Sequence, residues 1–359
     1  MPENMKNKDI IRLRLANQQI AAHVFTQPNE LVGWMGCIQA QDYAGAKWAI
    51  GSRIKKITDA SIEQHFNEGN ILRTHVLRPT WHFVSPKDIH WMLHLTAPKI
   101  KSFCKGYNKQ LDIDSGILKR SKNIIVRALE KNKRMTREAL ELLLNKEKIN
   151  TGNGRIGAIL MDAELDAMIC NAGRNGKQFI YTLLDEAPKK EKSFTREEAI
   201  ATLANRYFTS RGPATMLDFA WWSGLNITES RKGIEINKKQ LEYANINGNT
   251  YWFSAEQPSS KLKDNAAFLL SAFDEYTVAY KDRTDMLDPK FFTATGFGLQ
   301  PVIICNGRIN GTWSRTEKKD TIQIEARLFE NSPKSSLKKI TTAVKKYGKF
   351  RSKKIVFTG

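Results

Sequence analysis

Leu72-Arg73-Thr74-His75-Val76-Leu77, then Arg78-Pro79-Thr80, then Trp81-His82-Phe83-Val84 is the stretch on which the fold turns. Two short extended runs joined by a Pro-containing turn read as a β-hairpin. Helices precede it. They cover about Lys8 to His23, a segment capped by Asn29 and running through Ile38, Ala46 to Ile54, and a fourth capped by Thr58 or Asp59 and stopped at Gly69. Helices followed by a hairpin are the layout of a winged helix. Ser85-Pro86-Lys87-Asp88 then opens a long exit helix, with Ser as cap, Pro at the first position and Asp in the first turn.

The pattern returns further along the chain. Helices are expected from Ser115 to about Asn132, after the Thr136 cap, and from Arg155 to Leu165. Extended runs Ala167 to Cys170 and Phe179 to Leu184 follow, and the Gly- and Asn-rich tip between them carries Arg174 and Lys177. A third round begins at Thr195-Arg196-Glu197-Glu198, which fits a capping box, as does Thr215-Met216-Leu217-Asp218. The helix from Thr215 ends at Ser223-Gly224, Thr228 starts the next after a tight turn, and the pair reads as a helix-turn-helix. Its second helix carries Arg231 and Lys232, and a hairpin at Asn245 to Asn249 would be its wing.

From about Ala266 the runs become mostly β-type: Phe268 to Tyr280, Pro301 to Cys305, Thr312 to Ser314, Thr321 to Leu328 and Ile355 to Phe357, with one helix from Ser336 to Tyr347. The fold class expected is α+β: tandem winged helices followed by a small β-rich or β-barrel domain. The boundaries fall at 1–110 (winged helix 1 with its exit helix), 111–190 (winged helix 2), 191–262 (winged helix 3) and 263–359 (C-terminal domain). The charged, helix-breaking run Pro188-Lys189-Lys190-Glu191-Lys192 is a linker.

Charge indicates the partner. Lys and Arg number 57 against 37 Asp and Glu, a formal net charge of +20. Self-repulsion of that size destabilises a compact chain unless a polyanion offsets it; nucleic acid is the commonest such partner and releases counterions when its phosphates are neutralised, and the alternative is a generic basic surface for solubility. Residues 331–359 hold nine Lys or Arg (Lys334, Lys338, Lys339, Lys345, Lys346, Lys349, Arg351, Lys353, Lys354) and no acid, a face that either tracks phosphates or is simply solvated. No stretch is long and apolar enough for a membrane helix, and the N-terminus lacks the apolar core of a signal peptide, so a cytoplasmic location and no membrane partner are expected. Cys37, Cys104, Cys170 and Cys305 stand apart among apolar neighbours and read as buried thiols. No metal, no cofactor and no obligatory protein partner are expected. His90 and His94, one helical turn apart, lack further ligands.

Gly-rich phosphate loops, nucleophile elbows and zinc-protease signatures are missing from the sequence. Cys37-Ile38-Gln39-Ala40-Gln41-Asp42-Tyr43 is the one stretch with catalytic promise. Gln39 and Gln41 flank a small residue where the apolar helix runs out. In extended or helix-end geometry, alternate residues aim both amides into one cleft. Two amides can hold a water without carrying charge, or they can be mere caps and surface groups.

The chain resembles the AlkZ-type family of winged-helix DNA glycosylases. The resemblance lies in Gly36 to Gly51, Arg73 to Val84, Ala163-Glu164-Leu165-Asp166, Gly212-Pro213-Ala214-Thr215 through Gly224-Leu225, and Ala272-Phe273-Asp274-Glu275-Tyr276. It implies three tandem winged helices and a C-terminal β-barrel, removal of alkylated purines and, in some members, unhooking of interstrand cross-links. It also implies a catalytic Gln-apolar-Gln motif, here Gln39-Ala40-Gln41, and departs from a branch with Asp at the second position. Gln39 and Gln41 would position water on the anomeric carbon. Asp42 either supports the developing positive charge or caps Ala44-Gly45. The expected DNA contacts are Arg53, Arg73, Arg78, His82, Arg155, Arg174, Lys177, Arg231 and Lys232. Arg73, Arg78 and His82 can equally be structural, and Phe219, Trp221 and Trp222 read as core. The alternative function is a non-catalytic winged-helix DNA-binding protein, a regulator or nucleoid-associated factor.

Overall fold

A computed structural model describes residues 5–184, 194–256, 266–296, 299–330 and 336–358. The linker Pro188–Lys192 and Lys334 lie outside the described residues. The chain divides into two compact units, one made of residues 1–63 and 200–359 and the other of residues 64–199. The first of the four expected segments is therefore shared between the two units.

Helix α1 spans Asn7–Asn17 and α2 spans Pro28–Met35. The second helix does not reach Ile38 as the sequence suggested, and Asn29 is not its cap. Gln27 holds the cap position with Pro28 at the first turn, and Gly36 at φ +72° ends the helix, a backbone angle costly for any residue with a Cβ. Strand β1 (Cys37–Gln39) follows at once, then α3 (Tyr43–Gly51) and α4 (Asp59–Asn67). Thr58 Oγ1 accepts from Ser61 N at 3.1 Å at the start of α4.

The first expected hairpin is β2 (Leu72–His75) and β3 (Trp81–Val84), antiparallel with His75 opposite Trp81. The exit helix α5 runs from Ile89 to Gln110, one turn later than expected, because Ser85 accepts from Lys87 N and Asp88 N in a turn and Asp88 takes the cap position. Then come α6 (Ser115–Asn132), β4 (Arg134–Thr136), α7 (Arg137–Lys146), α8 (Arg155–Leu165), β5 (Ile169–Asn175) and β6 (Gln178–Leu183). Thr136 caps α7 through Ala139 N at 3.2 Å. The two expected hairpins of this unit share one sheet, ordered β3-β2-β5-β6-β4, joined where Arg73 pairs with Asn171. Ile125 and Leu129 of α6, Leu140 and Leu144 of α7, and Ile159 and Leu160 of α8 pack with Tyr181 of β6 into its core. Full burial of such side chains contributes about 1.5–3 kcal/mol each.

The other unit resumes within α9 (Arg196–Arg211) and continues through α10 (Met216–Ser223) and α11 (Ile227–Asn237). Thr215 caps α10 and exchanges hydrogen bonds with Asp218, while Asn226, not Thr228, caps α11. The ribbon β7 (Leu241–Ile246) and β8 (Asn249–Ser254) turns on Asn247-Gly248, both with positive φ, the geometry whose twist suits a two-residue hairpin. Strand β9 (Ala267–Leu270) is shorter than the expected run to Tyr280, because Asp274 accepts from Tyr276 N at 2.9 Å and caps a short helix, α12 (Glu275–Val278). Strands β10 (Val302–Cys305), β11 (Arg308–Glu317) and β12 (Thr321–Leu328), helix α13 (Ser336–Arg351) and β13 (Lys354–Thr358) complete the unit. The sheet order is β13-β12-β11-β10-β9, with β13 parallel to β12 through the α13 crossover. Strands β9 and β13 stand at opposite edges, so among the described residues this sheet is open, and of the two expected forms, β-rich or β-barrel, it has the β-rich one. Trp48 of α3 packs edge-on against Tyr347 of α13 at 4.9 Å and tilts on Phe350 at 5.1 Å, docking the last helix onto the one that follows β1.

Candidate active site

Gln39 closes β1 and is 6% exposed, whereas Gln41, two residues on, is exposed. The Gln39 side-chain carbonyl accepts from Gln41 N at 3.1 Å, which folds the first amide over the backbone of the second. Helix α3 starts directly afterwards. Its cap is Asp42, whose carboxylate accepts from Gly45 N at 3.1 Å and lies 3.8 Å from Arg315. Of the two roles open to Asp42 from the sequence, capping is the one visible in the geometry.

A buried pair grips the strand that carries Gln39. Glu275, fully buried at the start of α12, accepts from Gln39 N through Oε1 at 2.9 Å. Its Oε2 accepts from Arg211 Nε at 3.0 Å, Arg211 Nη2 at 2.5 Å and Trp222 Nε1 at 3.0 Å. Arg211, also fully buried at the end of α9, donates onward to Met35 O at 2.6 Å and Cys37 O at 3.0 Å, and its guanidinium lies 4.3 Å from the Trp222 ring. Sequence reasoning placed Trp222 in the core and gave Arg211 and Glu275 no role. The signal was there: Asp274 and Glu275 sit inside an apolar run, and carboxylates buried there need bonded partners.

The expected DNA contacts separate into two groups. Arg53 is a correction. It is fully buried, donates to Asp274 Oδ1 and Oδ2 at 2.7 and 2.9 Å and to Gln18 O at 2.9 Å, and a charge committed to that pair cannot reach a phosphate. Arg73 is corrected likewise: it is buried between the Trp81 and Phe179 rings at 3.8 and 4.2 Å and donates to Asn171 Oδ1 at 3.1 Å. His82 is fully buried, with Nδ1 2.9 Å from Thr80 O. Arg155 spends its guanidinium on the backbone carbonyls of Asn150, Leu111 and Asp112, so it braces a turn. Arg78 is half-buried at the first hairpin turn, and Arg174 is half-buried with its guanidinium 5.5 Å from Phe179. Lys177, at the tip of its hairpin, and Arg231 and Lys232, on α11, are exposed. Trp221 is 46% exposed, so the core expectation holds for Phe219 and Trp222 and not for Trp221.

Among the described residues no three His, Cys, Asp or Glu side chains are placed to hold a metal ion, and no helix is long and apolar enough to cross a membrane. All four cysteines are buried.

The model of the DNA glycosylase AlkZ-like family matches residues 32–350. The chain is 21% identical over 329 residues to the interstrand DNA cross-link repair glycosylase of Streptomyces sahachiroi, covering 85% of this chain and 87% of that protein. The fold of the Streptomyces sahachiroi DNA glycosylase AlkZ superimposes with a TM-score of 0.81 at 18% identity, over 99% of this chain and all of that one. The family match spans most of the chain and decides between an enzyme and a non-catalytic binding protein. The chain belongs to the AlkZ-like family and is a DNA-binding DNA glycosylase, a hydrolase of DNA repair.

Proposed function

We propose that the chain hydrolyses the N-glycosidic bond of alkylated purines in double-stranded DNA, with Gln39 and Gln41 holding the attacking water. The observation that carries this reading is that Gln39 closes β1 buried, with its side-chain carbonyl accepting from Gln41 N at 3.1 Å, which holds the first amide of the motif at the strand end beside the backbone of the second. A purine alkylated at a ring nitrogen is cationic and leaves readily, so the protein must chiefly orient water rather than supply a strong base. Neutral amides do that without competing for the proton. Positive charge develops on the sugar as the bond breaks. The N-terminus of α3, whose dipole is positive, begins just after the motif, and the Asp42 carboxylate that caps it offsets that field.

Three rounds of helices and hairpin fit tandem winged helices. Helices α10 and α11, with the β7–β8 ribbon, would present Arg231 and Lys232 to the groove, and within residues 64–199 the candidates for phosphate contact are Lys177, Arg174 and Arg78. A cytoplasmic location suits such a substrate. A relative named for interstrand cross-link repair supports a cross-link joined through alkylated purines as a second proposed substrate. The test is to incubate the protein with duplex containing 7-methylguanine in the presence of EDTA and to separate the released bases. Free 7-methylguanine and an unbroken abasic strand are expected, and a cross-linked duplex should separate on a denaturing gel. No released base, or release that EDTA abolishes, would refute the reading.

A further inference from the structure

The backbone edge of β1 has an unusual neighbour. Residues two apart in a strand point their N–H and C=O groups to the same side, where a partner strand normally meets them. On the edge formed by Cys37 and Gln39 that place is taken by two side chains: Arg211 donates to Cys37 O at 3.0 Å, and Glu275 accepts from Gln39 N at 2.9 Å. The two are bonded to each other through Arg211 Nε and Nη2 at 3.0 and 2.5 Å. Trp222 closes the far side, donating to Glu275 Oε2 at 3.0 Å with its ring beside the guanidinium. The ion pair thus acts as a one-rung substitute strand for the backbone of Met35–Gln39.

We propose that Arg211 and Glu275 are positioning residues for Gln39, fixing the pleat of β1 and hence the direction of both motif amides. The proposal rests on the reading that Gln39 and Gln41 hold the water. A buried ion pair is weak evidence for a stabilising role, since apolar residues of similar volume often serve a fold as well. What apolar residues cannot do is accept from Gln39 N and donate to Cys37 O together. Four N–H groups from three residues already surround the Glu275 carboxylate, so it has no free face with which to act as a base. Its effect reaches the reaction through Gln39. Misplacing a reacting group by about 1 Å costs on the order of 100-fold in rate.

The experiment compares wild type, Glu275→Gln, the double variant Glu275→Gln/Arg211→Met, and Gln39→Ala/Gln41→Ala on duplex containing 7-methylguanine. Three quantities are measured: single-turnover excision rate at saturating enzyme, DNA dissociation constant and thermal midpoint. Glu275→Gln should excise about 10- to 100-fold more slowly with the dissociation constant changed less than about twofold. The double variant, which leaves no unpaired buried charge, should recover much of the thermal midpoint but not the rate. Backbone hydrogen exchange supplies a readout independent of activity: the Gln39 amide should exchange at least about 10-fold faster in Glu275→Gln, while core amides of α9 stay protected. A rate that recovers along with the midpoint assigns the pair a merely structural role and overturns the proposal. Wild-type excision by Glu275→Gln, or an unchanged Gln39 amide, also overturns it. If Gln39→Ala/Gln41→Ala excises normally, the catalytic reading fails, and the exchange result still decides whether the pair holds the strand.

Discussion

His23 and Lys346 show how single residues in this chain answer to their surroundings. Lys346 Nζ can only donate, so it bonds to His23 Nε2 at 3.1 Å, and His23 Nδ1 in turn donates to Gln19 O at 2.8 Å. Burial first, then the charge of Lys346, push His23 down to about 4, and burial with the nearby Arg53 pushes Lys346 down to about 8. An unfolded histidine takes its proton near about 6.5, so between about 4 and 6.5 the unfolded chain binds more protons than the folded one. The contribution of His23 to stability is therefore complete above about pH 6.5 and is lost as the pH falls toward 4. With the ring partly open to water, the loss should be about 1–2 kcal/mol. Urea midpoints at pH 7 and pH 4.5 should accordingly fall further apart in wild type than in His23→Gln. Equal drops in the two proteins would show that His23 carries no such linkage.

At the scale of elements, local signals were legible wherever a cap or a period dictates the backbone. Thr136, Thr215 and the Ser115–Asn132 run lie where caps and apolar spacing put them, because those signals act within a few residues. The errors arose where tertiary partners or turn geometry decided. Gly36 broke α2 early and turned Ile38 into a strand residue, and Asp274 ended the expected long strand by capping α12. The candidate site was legible to the same degree. Gln39 and Gln41 stood out by type and spacing, and their assignment to catalysis came from the family resemblance, whereas Arg211 and Glu275 are 64 residues apart in sequence and only the folded chain brings them to β1. Exposure misled in the opposite direction. Arg53 and Arg73 counted as positive charge for DNA, yet an acid and two aromatic rings claim them inside the protein. Gly51 shows the same dependence on context. It looked like an ordinary helix residue, but a Cβ there would collide with the Phe350 ring, so its absence is what lets α13 seat on α3.

For the molecule as a whole, the net charge of +20 is unevenly committed. In the C-terminal segment Lys346 is turned inward to Ser52 O at 2.7 Å, and Arg351 and Lys353 meet Glu317 at 2.6 and 3.5 Å. Lys338, Lys345 and Lys349 stay exposed and recur at seven- and four-residue steps along α13, which puts them on one helix face. If that face tracks a DNA strand, changing all three to Gln should lower the slope of log affinity against log salt by up to about 2.7, at about 0.9 per phosphate contact. An unchanged slope would assign the stripe to solvent.

The claim on which the whole reading depends concerns two neutral amides at the end of β1. Its most direct measurement is the single-turnover excision rate of Gln39→Ala/Gln41→Ala on duplex containing 7-methylguanine, taken together with its DNA affinity. The account predicts that excision falls to the uncatalysed level while affinity stays within about twofold of wild type, since neutral amides release no counterions and phosphate neutralisation supplies most of the affinity of a basic protein for DNA. Excision at a rate near wild type would contradict it.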